Sequence, residues 1–289
     1  TSRRVRIHVR AIKKGQSLKL DFSDTDPQVY SPVNLPEATA RAVSMQAVIA
    51  ASDPTIPMNS GAFDALEFAI PSGRLISPEF PASVNHYFPT AHLTYNVVLA
   101  AMGKLNPDRA VAPSGLGSGA IAVGYKMGRA GKPTVQYEIL ITSLGGTSEG
   151  DGASVVLAMN HFAPGTPVEI VETEYPVRVR SFDMWCDSAG AGTQRGGIGF
   201  DREYEFLTDC TLTVRSSNQT ETAWGLFGGG SPQPSKTSIT LPDGTHQEMG
   251  VLETRVITPG SVLRLARSGG GGYGDPFARP VGRVLADVA

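Results

Sequence analysis

Hydrophobic and polar residues alternate along the first part of the chain. Residues 5–9 place Val, Ile and Val between Arg and His, and residues 18–22 place Leu, Leu and Phe between Lys and Asp. Alternation of this kind predicts a strand with one buried face. The polar residues 13–16 between the two stretches are typical of a turn, so the pattern predicts a β-hairpin.

Two later stretches change to helical spacing. Residues 36–51 are rich in Ala, with Pro36 in the first turn, where proline is tolerated. Residues 90–105 predict a second helix, N-capped by Thr90. Between them, residues 62–80 predict strands that are interrupted by a turn at 71–73. The predicted inward positions are Ala40, Val43, Ala47 and Ala50 in the first helix, and Leu93, Val97, Ala100 and Ala101 in the second.

Beyond residue 165 the pattern consists of short alternating segments separated by turn residues. This spacing favours a β-sandwich or a barrel-like region. The predicted fold class is therefore α+β and mainly β, with a mixed region containing two helices over residues 1–165 and a β-rich region over residues 166–289. Strands are predicted at 135–142, 168–171, 177–182, 202–206, 211–215, 237–240 and 262–265.

Composition narrows the classes of function. The net charge of −2 gives no electrostatic basis for binding nucleic acid or an anionic membrane. Only 18% of residues are charged, which suggests that part of the surface is buried against other subunits. Two cysteines in 289 residues, and no apolar core typical of a signal peptide near residue 1, indicate a cytoplasmic protein. No apolar run approaches the roughly 20 residues that span a bilayer.

One short motif raises the possibility of nucleophilic catalysis. Residues 146–150 match G-x-S-x-G, in which Ser148 would be the nucleophile. A predicted strand precedes it, but Asp151 and a glycine follow where the motif requires a helix. Asp187 and His246 occur later and would have to complete a triad. An independent serine hydrolase is therefore kept as an alternative.

Other motifs give little support for a nucleotide or metal site. Residues 128–134 contain Gly-Lys without the spacing of a phosphate loop, and Pro133 lacks the backbone N–H that would bind phosphate. We interpret this segment as a hairpin turn. None of the five histidines forms a close ligand pair. Cys186 is interpreted as a buried, inert thiol, since no activating base is evident.

Glycine clusters mark two further segments, residues 187–199 and 269–276. Backbone amides in such runs can surround an anionic or carbonyl group. Glycine also permits tight packing of loops at strand corners and subunit contacts, and we favour this structural interpretation.

These clusters, together with several other segments, resemble motifs of the hydantoinase B/5-oxoprolinase family in the same order along the chain. Asp24 stands where the family usually has glycine. The matching segments are D-F-S-D-T-D-P-Q (21–28), P-V-N (32–34), I-P-M-N-S-G (56–61), D-S-A-G-A-G (187–192), R-G-G-I-G (195–199), G-L-F-G-G (225–229) and G-G-G-G-Y-G-D-P (269–276).

The resemblance implies part of an ATP-dependent enzyme that opens a cyclic amide or carboxylates a ketone. ATP and Mg²⁺ would be bound by a hydantoinase A-type partner subunit. A divalent metal would be bound by the N-terminal half of the hydantoinase B-type subunit, whose N-D-P-x-x-G-G-x-H-like segment has no match here. The resemblance thus covers the C-terminal half, and we expect a hetero-oligomer in which this chain alone binds no cofactor and is inactive.

Within the resemblance, the segment from Gly145 to His161 aligns with a glycine-rich stretch containing D-G. Asp151, Asn160 and His161 are therefore the candidates for residues near the substrate. A structural role for His161, or a non-catalytic assembly role for the whole chain, remains open. The sequence does not decide between amide and ketone substrates, although a subunit divided over separate chains gives a slight preference for the carboxylase branch.

Overall fold

The computed structural model describes residues 4–115, 119–156 and 165–288, which contain five α-helices and twelve strands. The helices are α1 (Glu37–Ser52), α2 (Ser60–Asp64), α3 (Phe88–Leu105), α4 (Val168–Glu174) and α5 (Val281–Val288). The strands are β1 (Arg10–Lys14), β2 (Ser17–Asp21), β3 (Leu66–Ala69), β4 (Gly119–Tyr125), β5 (Thr134–Leu140), β6 (Val177–Met184), β7 (Phe200–Phe206), β8 (Cys210–Arg215), β9 (Lys236–Thr240), β10 (His246–Glu248), β11 (Leu252–Ile257) and β12 (Val262–Ala266).

A three-stranded sheet of order β1-β2-β3 shares a hydrophobic core with helices α1 and α3. The predicted hairpin is confirmed, but its first strand is β1, so residues 5–9 do not form it. Ile7 is nevertheless buried in the core. The 5–9 segment is held by loop contacts, since the His8 N–H donates to Thr25 Oγ1 at 3.1 Å. The alternating pattern therefore predicted the burial correctly, but it did not predict which residues pair as strands.

The other two sheets form a β-sandwich. Their orders are β10-β9-β12-β7-β6 and β11-β8-β4-β5, and both sheets are open, so the barrel-like alternative is not realised. Side chains from the two facing sheets share one core, because alternate residues of each strand point inward. Strands β4 and β5 precede residue 165 yet pair with β8. The division of the chain at residue 165 stays a prediction. Representative core residues are Ile121, Val123, Leu212, Tyr204 and Leu263.

Four local predictions were wrong. Residues 168–171 form the start of helix α4, and residues 62–80 contain one short strand, β3, after helix α2. Helix α3 begins at Phe88 and carries apolar residues around most of its circumference, so spacing alone did not identify its most buried face. That face contains Ala91, Val98, Leu99 and Met102, whereas the four predicted positions are half-buried. In α1, Ala50 is exposed and the other three predicted positions are buried.

No helix of the described chain is both long and apolar enough to cross a membrane.

Candidate functional site

Four glycine-rich segments meet beside the sandwich, and we call this meeting point the glycine junction: residues 144–153, 188–199, 225–230 and 268–274. Backbone hydrogen bonds run between the segments, so each strand-like stretch satisfies its polar groups on its neighbours. The N–H groups that donate across the junction include Gly146 to Gly271 O (2.9 Å), Gly190 to Gly270 O (2.9 Å), Gly197 to Leu144 O (2.8 Å) and Gly272 to Gly230 O (3.0 Å).

Close approach of backbones explains the glycines of the junction. A Cβ atom at Gly196 would lie 1.9 Å from the carbonyl oxygen of Gly270, and one at Gly199 would lie 1.8 Å from that of Arg267. Such distances lie far inside van der Waals contact, so any side chain at these positions would force the segments apart. The structural interpretation of the glycine clusters is confirmed.

Asp151 lies in the junction, where it is already engaged by arginine. Its two carboxylate oxygens accept from both terminal nitrogens of Arg279, at 2.7 and 2.8 Å, and the Arg195 N–H donates to Oδ1 at 2.8 Å. Burial raises the pKa of Asp151, but the hydrogen bonds from Arg279 and Arg195 outweigh burial and leave the pKa below its usual value. Arg279 also binds Asp287 of helix α5. This cluster of charges ties α5 to the junction, while a place for Asp151 near substrate stays a prediction.

Among the described residues, the serine-hydrolase candidates Ser148 and His246 do not contact each other. Asn160 and His161 lie outside the described residues. Ser148 donates its hydroxyl to the carbonyl of Asp108 at 2.6 Å, and the described part of the chain places no base in contact with it. His246 instead lies in the short strand β10, next to Thr240 and Glu248.

Metal-binding side chains are not clustered in the described residues: no three of His, Cys, Asp or Glu there are placed to hold an ion. The two thiols are free, and Cys210 is buried. Cys186 is exposed, so the prediction that it is buried was wrong. Burial raises the pKa of Cys210 to about 12, so its thiol stays protonated. Other polar side chains among the described residues therefore have to form the candidate site.

A cavity of about 590 Å³ opens at one edge of the sandwich, between β5 of one sheet and β6 and β7 of the other. Its walls are mostly apolar, with Ile141, Phe182 and Phe200 among the lining residues. Two charged side chains, Glu138 and Arg202, also line it. We call this space the edge cavity.

Glu138 and Arg202 belong to a buried polar cluster at the base of the edge cavity. Both side chains are only 8% exposed, and Arg202 Nη1 donates to Glu138 Oε2 at 3.0 Å. The hydroxyl of Tyr204 donates to the same oxygen at 2.7 Å, and the amide of Gln136 donates to Oε1. Burial raises the pKa of Tyr204, so its hydroxyl remains a donor. The carboxylate thus accepts from three neighbours.

The guanidinium group of Arg202 is less completely satisfied. It lies over the rings of Phe182 and Tyr204, with its central carbon 4.9 and 4.6 Å from their centroids. These contacts fix its plane. Its Nε and Nη2 atoms are buried and have no hydrogen-bond acceptor within the described ranges. A buried donor without an acceptor costs free energy, so an oxygen atom that reached these two N–H groups after a local rearrangement would be bound favourably.

Val155, which also lines the edge cavity, has a strained backbone. Its φ is +54°, a region that β-branched residues avoid. The Ser143 hydroxyl accepts from the Val155 N–H at 2.8 Å and helps hold this conformation. Strain of this kind is often concentrated at functional sites.

Neither Glu138 nor Arg202 was a candidate in the sequence. They are 64 positions apart and meet only because the two sheets face each other. One signal was present in β5, where Gln136 and Glu138 share the parity of the buried Leu140, while Tyr137 has the opposite parity. Polar residues on the inward face of a strand indicate a buried polar cluster, once the inward face is known.

Comparison with known proteins agrees with this architecture. The family described as Hydantoinase B/oxoprolinase matches residues 1–276. The chain belongs to the hydantoinase B/oxoprolinase family. The resemblance of the sequence motifs is thereby confirmed, and the edge cavity and glycine junction are features of a member of this family.

Relatives of this hydantoinase B-family chain include proteins with named activities. The B component of a putative D-/L-hydantoinase of Pseudomonas sp. is 28% identical over 98% of the chain, and 5-oxoprolinase 1 of Arabidopsis thaliana is 28% identical over 90%. The beta component of the caprolactamase of Pseudomonas jessenii is 29% identical over 80%. Relatives of this chain are thus named as a component of a hydantoinase, as a 5-oxoprolinase and as a component of a caprolactamase.

Solved structures share the fold. The ATP-dependent caprolactamase of Pseudomonas jessenii superposes with a TM-score of 0.86 at 23% identity, covering 98% of this chain and 50% of that one. Nucleotide-free acetone carboxylase gives a TM-score of 0.87 at 17% identity, covering 98% of this chain and 43% of that one.

The chain is shorter than its relatives. It spans 49% of the hydantoinase B component and 49% of an uncharacterised protein of Methanocaldococcus jannaschii, to which it is 30% identical over 98% of its length. In the 5-oxoprolinase of Arabidopsis thaliana it corresponds to 20% of the protein. This family unit therefore occurs within longer polypeptides.

Proposed function

We propose that this chain forms part of the substrate-binding wall of an ATP-dependent enzyme that opens a cyclic amide. ATP and Mg²⁺ are handled by a hydantoinase A-type partner, and a divalent metal by the N-terminal half of the hydantoinase B-type subunit. The observation that carries the proposal is the edge cavity, in which apolar walls surround a buried guanidinium whose Nε and Nη2 lack acceptors among the described residues. The names of the hydantoinase, oxoprolinase and caprolactamase relatives support the choice of substrate class.

The chemistry of the cavity suits such a substrate. A cyclic amide combines a mainly apolar ring with one strong acceptor, its carbonyl oxygen. Arg202 would donate to that oxygen, while Phe182 and Phe200 pack against the ring. ATP is needed because an amide is a poor electrophile, and phosphorylation brings it closer to the reactive transition state. Arg202 would orient the carbonyl for this step.

Ketone carboxylation is the second candidate, since the fold matches acetone carboxylase with a TM-score of 0.87. At 17% identity that likeness supports the fold only, so we place it after amide opening. Purification of the native complex, with identification of its polypeptides by mass spectrometry, tests both. Lactam-stimulated ATP turnover that is independent of bicarbonate is the expected result. Turnover that requires bicarbonate and a ketone would replace the first candidate by the second.

The role of the edge cavity is tested by Arg202→Lys in the assembled complex. Lysine keeps the positive charge but loses the planar arrangement of donors, so we expect kcat/KM for the lactam to fall on the order of tenfold or more. Arg180→Lys is the matched control, because Arg180 lies on the neighbouring strand β6 and is half exposed. Unchanged kinetics in Arg202→Lys, with the complex intact, would exclude the edge cavity as the substrate site.

Two alternatives have direct tests. An independent serine hydrolase would be labelled by a fluorophosphonate at Ser148, and we expect no labelling because Ser148 donates to a backbone carbonyl and no base touches it among the described residues. A non-catalytic assembly subunit would tolerate substitution of Arg202, and equally of Asp151, Asn160 and His161, without loss of turnover in the complex. Loss of turnover in the Arg202 variant alone favours the proposed wall-forming role.

A further inference from the structure

The face of the four-stranded sheet that points away from the sandwich core is almost free of charge. Outward positions are every second residue of β11, β8, β4 and β5, and we call these twelve positions the outer sheet face. Seven of them are not large apolar residues: they comprise two alanines, one glycine, three threonines and Arg215. The other five are the large apolar residues Val135, Tyr137, Ile139, Leu252 and Val256, all of which are exposed.

This distribution is the reverse of what a solvated face requires. An antiparallel sheet that meets water on one side normally has polar residues there. Strand β5 instead directs Gln136 and Glu138 inward, and exposes Val135 and Tyr137 by 63% and 58%. From strand and residue spacings, the face measures roughly 14 Å by 14 Å. Five exposed large apolar side chains beside a single charge are typical of a face that is covered by another protein element, and the size of the patch adds no separate argument.

The shape of the face favours a helix as the covering element. The large apolar side chains stand on the two outer strands, β5 and β11. The two inner strands, β4 and β8, present the smaller Ala122, Gly124, Thr211 and Thr213, with Arg215 at one end. Two apolar ridges therefore border a shallow trough. The trough is about as wide as an α-helix, which is roughly 10–12 Å across with its side chains.

We propose that a helix from the other half of the same subunit covers the outer sheet face. Two of the similar proteins are about twice as long as this chain, which spans 49% of the hydantoinase B component and 50% of the caprolactamase chain. Tethering in one polypeptide gives the second half a high effective concentration at this face. A face with a single charge also resembles the apolar core of a permanent contact more than the interface of a transient partner. The inference rests on the proposed organisation of the subunit in two halves.

Cysteine labelling tests the occupant in a subunit expressed with both halves. Thr254→Cys places a thiol within the outer sheet face, and Thr245→Cys places one in the exposed turn between β9 and β10 as a matched control. Cys186 is replaced by serine in both variants, because it is exposed. The rate of modification by a water-soluble maleimide is followed at each site by peptide mass spectrometry. We expect the thiol at 254 to react at least about tenfold more slowly than the one at 245.

Each outcome of the labelling decides the occupant. Slow labelling at 254 in the monomeric subunit, unchanged on dilution, supports the proposal. Equal rates at 254 and 245 overturn it, and so does protection that is lost on dilution, since a second copy would then cover the face. Protection that appears only after the ATP-binding partner is added also overturns it. Because labelling requires no turnover, this result is independent of whether the proposed amide opening is correct.

A second variant examines the energetics of the same contact. Tyr137→Asp introduces a charge at the centre of an apolar ridge, so it should lower the melting temperature of the two-half subunit. Tyr30→Asp is the control, since Tyr30 is fully exposed outside the face. Equal melting temperatures for the two variants would contradict coverage of the outer sheet face.

Discussion

Removal of the Glu138 carboxylate should destabilise the sandwich far more than removal of a surface carboxylate. In Glu138→Ala, the guanidinium of Arg202 loses the acceptor that it binds at 3.0 Å, and its two other donor nitrogens already lack acceptors among the described residues. Tyr204 and Gln136 lose their acceptor as well. The variant therefore leaves a buried cation without the counter-charge that it has in the wild type.

The expected magnitude follows from this burial. Breaking a buried ion pair by removal of one partner costs about 3–5 kcal/mol. A folded domain is stable by only about 5–15 kcal/mol, so the loss should be a large fraction of the total. In urea, the midpoint of unfolding should fall on the order of 1 M or more. Glu221→Ala is the control, because Glu221 pairs with Arg4 at the surface, and its removal should cost about 1 kcal/mol or less.

A double variant separates the unpaired charge from loss of packing. Glu138→Leu combined with Arg202→Met removes both charges, so it should be much less destabilising than Glu138→Ala alone. Urea unfolding followed by tryptophan fluorescence provides the free energies. The reasoning would be refuted if Glu138→Ala cost no more than Glu221→Ala, or if the double variant lost as much as both single variants together.

Three further outcomes are expected. Gly196→Ala should cost on the order of 3 kcal/mol or prevent folding, whereas Gly150→Ala, where no atom lies within 4 Å of the added Cβ, should be close to neutral in urea unfolding. Asp151→Asn should increase hydrogen exchange in helix α5 without affecting the sandwich. In the wild type the folded-state pKa of Asp151 is lowered, so its carboxylate contributes to stability above the ordinary pKa of 3.8. This stabilisation is lost as the pH falls through the lower folded-state pKa. A thiol reagent should modify Cys186 rapidly in the native chain and Cys210 only after denaturation, and equal rates would contradict the burial of Cys210.

The strands of the sandwich were predictable because their two faces differ consistently. β7 alternates buried and half-buried positions over its whole length, and this period of two identified it from the sequence. Shorter segments could not be assigned to a strand or to a helix from their pattern alone. In residues 168–171, Val168 and Val171 fit a strand-like apolar run and also the i, i+3 spacing of a helix, and in the helix that forms Val171 alone is buried. Four residues cannot distinguish the two periods.

The candidate site was less accessible to sequence reasoning than the fold. Motif resemblance pointed to the segment around Asp151, but that carboxylate is bound by Arg279, 128 positions away. The polar groups of the edge cavity, Glu138 and Arg202, belong to no motif and meet across two sheets. Long-range pairs of this kind depend on sheet topology, which local patterns do not specify.

The glycine content acquires a different meaning once the junction is known. Thirty-three glycines in a chain suggest flexible loops, yet a Cβ added at Gly145 or Gly152 would lie only 1.9 or 2.1 Å from a neighbouring carbonyl oxygen. Glycine here permits backbones to pack and hydrogen-bond directly, which restricts motion. Val155, at the edge cavity, lies two residues beyond Ala153 of this junction, whose carbonyl accepts from the Leu144 N–H at 3.0 Å. In the proposed assembly, a wall whose backbone is already held by such hydrogen bonds would lose little entropy when a partner binds.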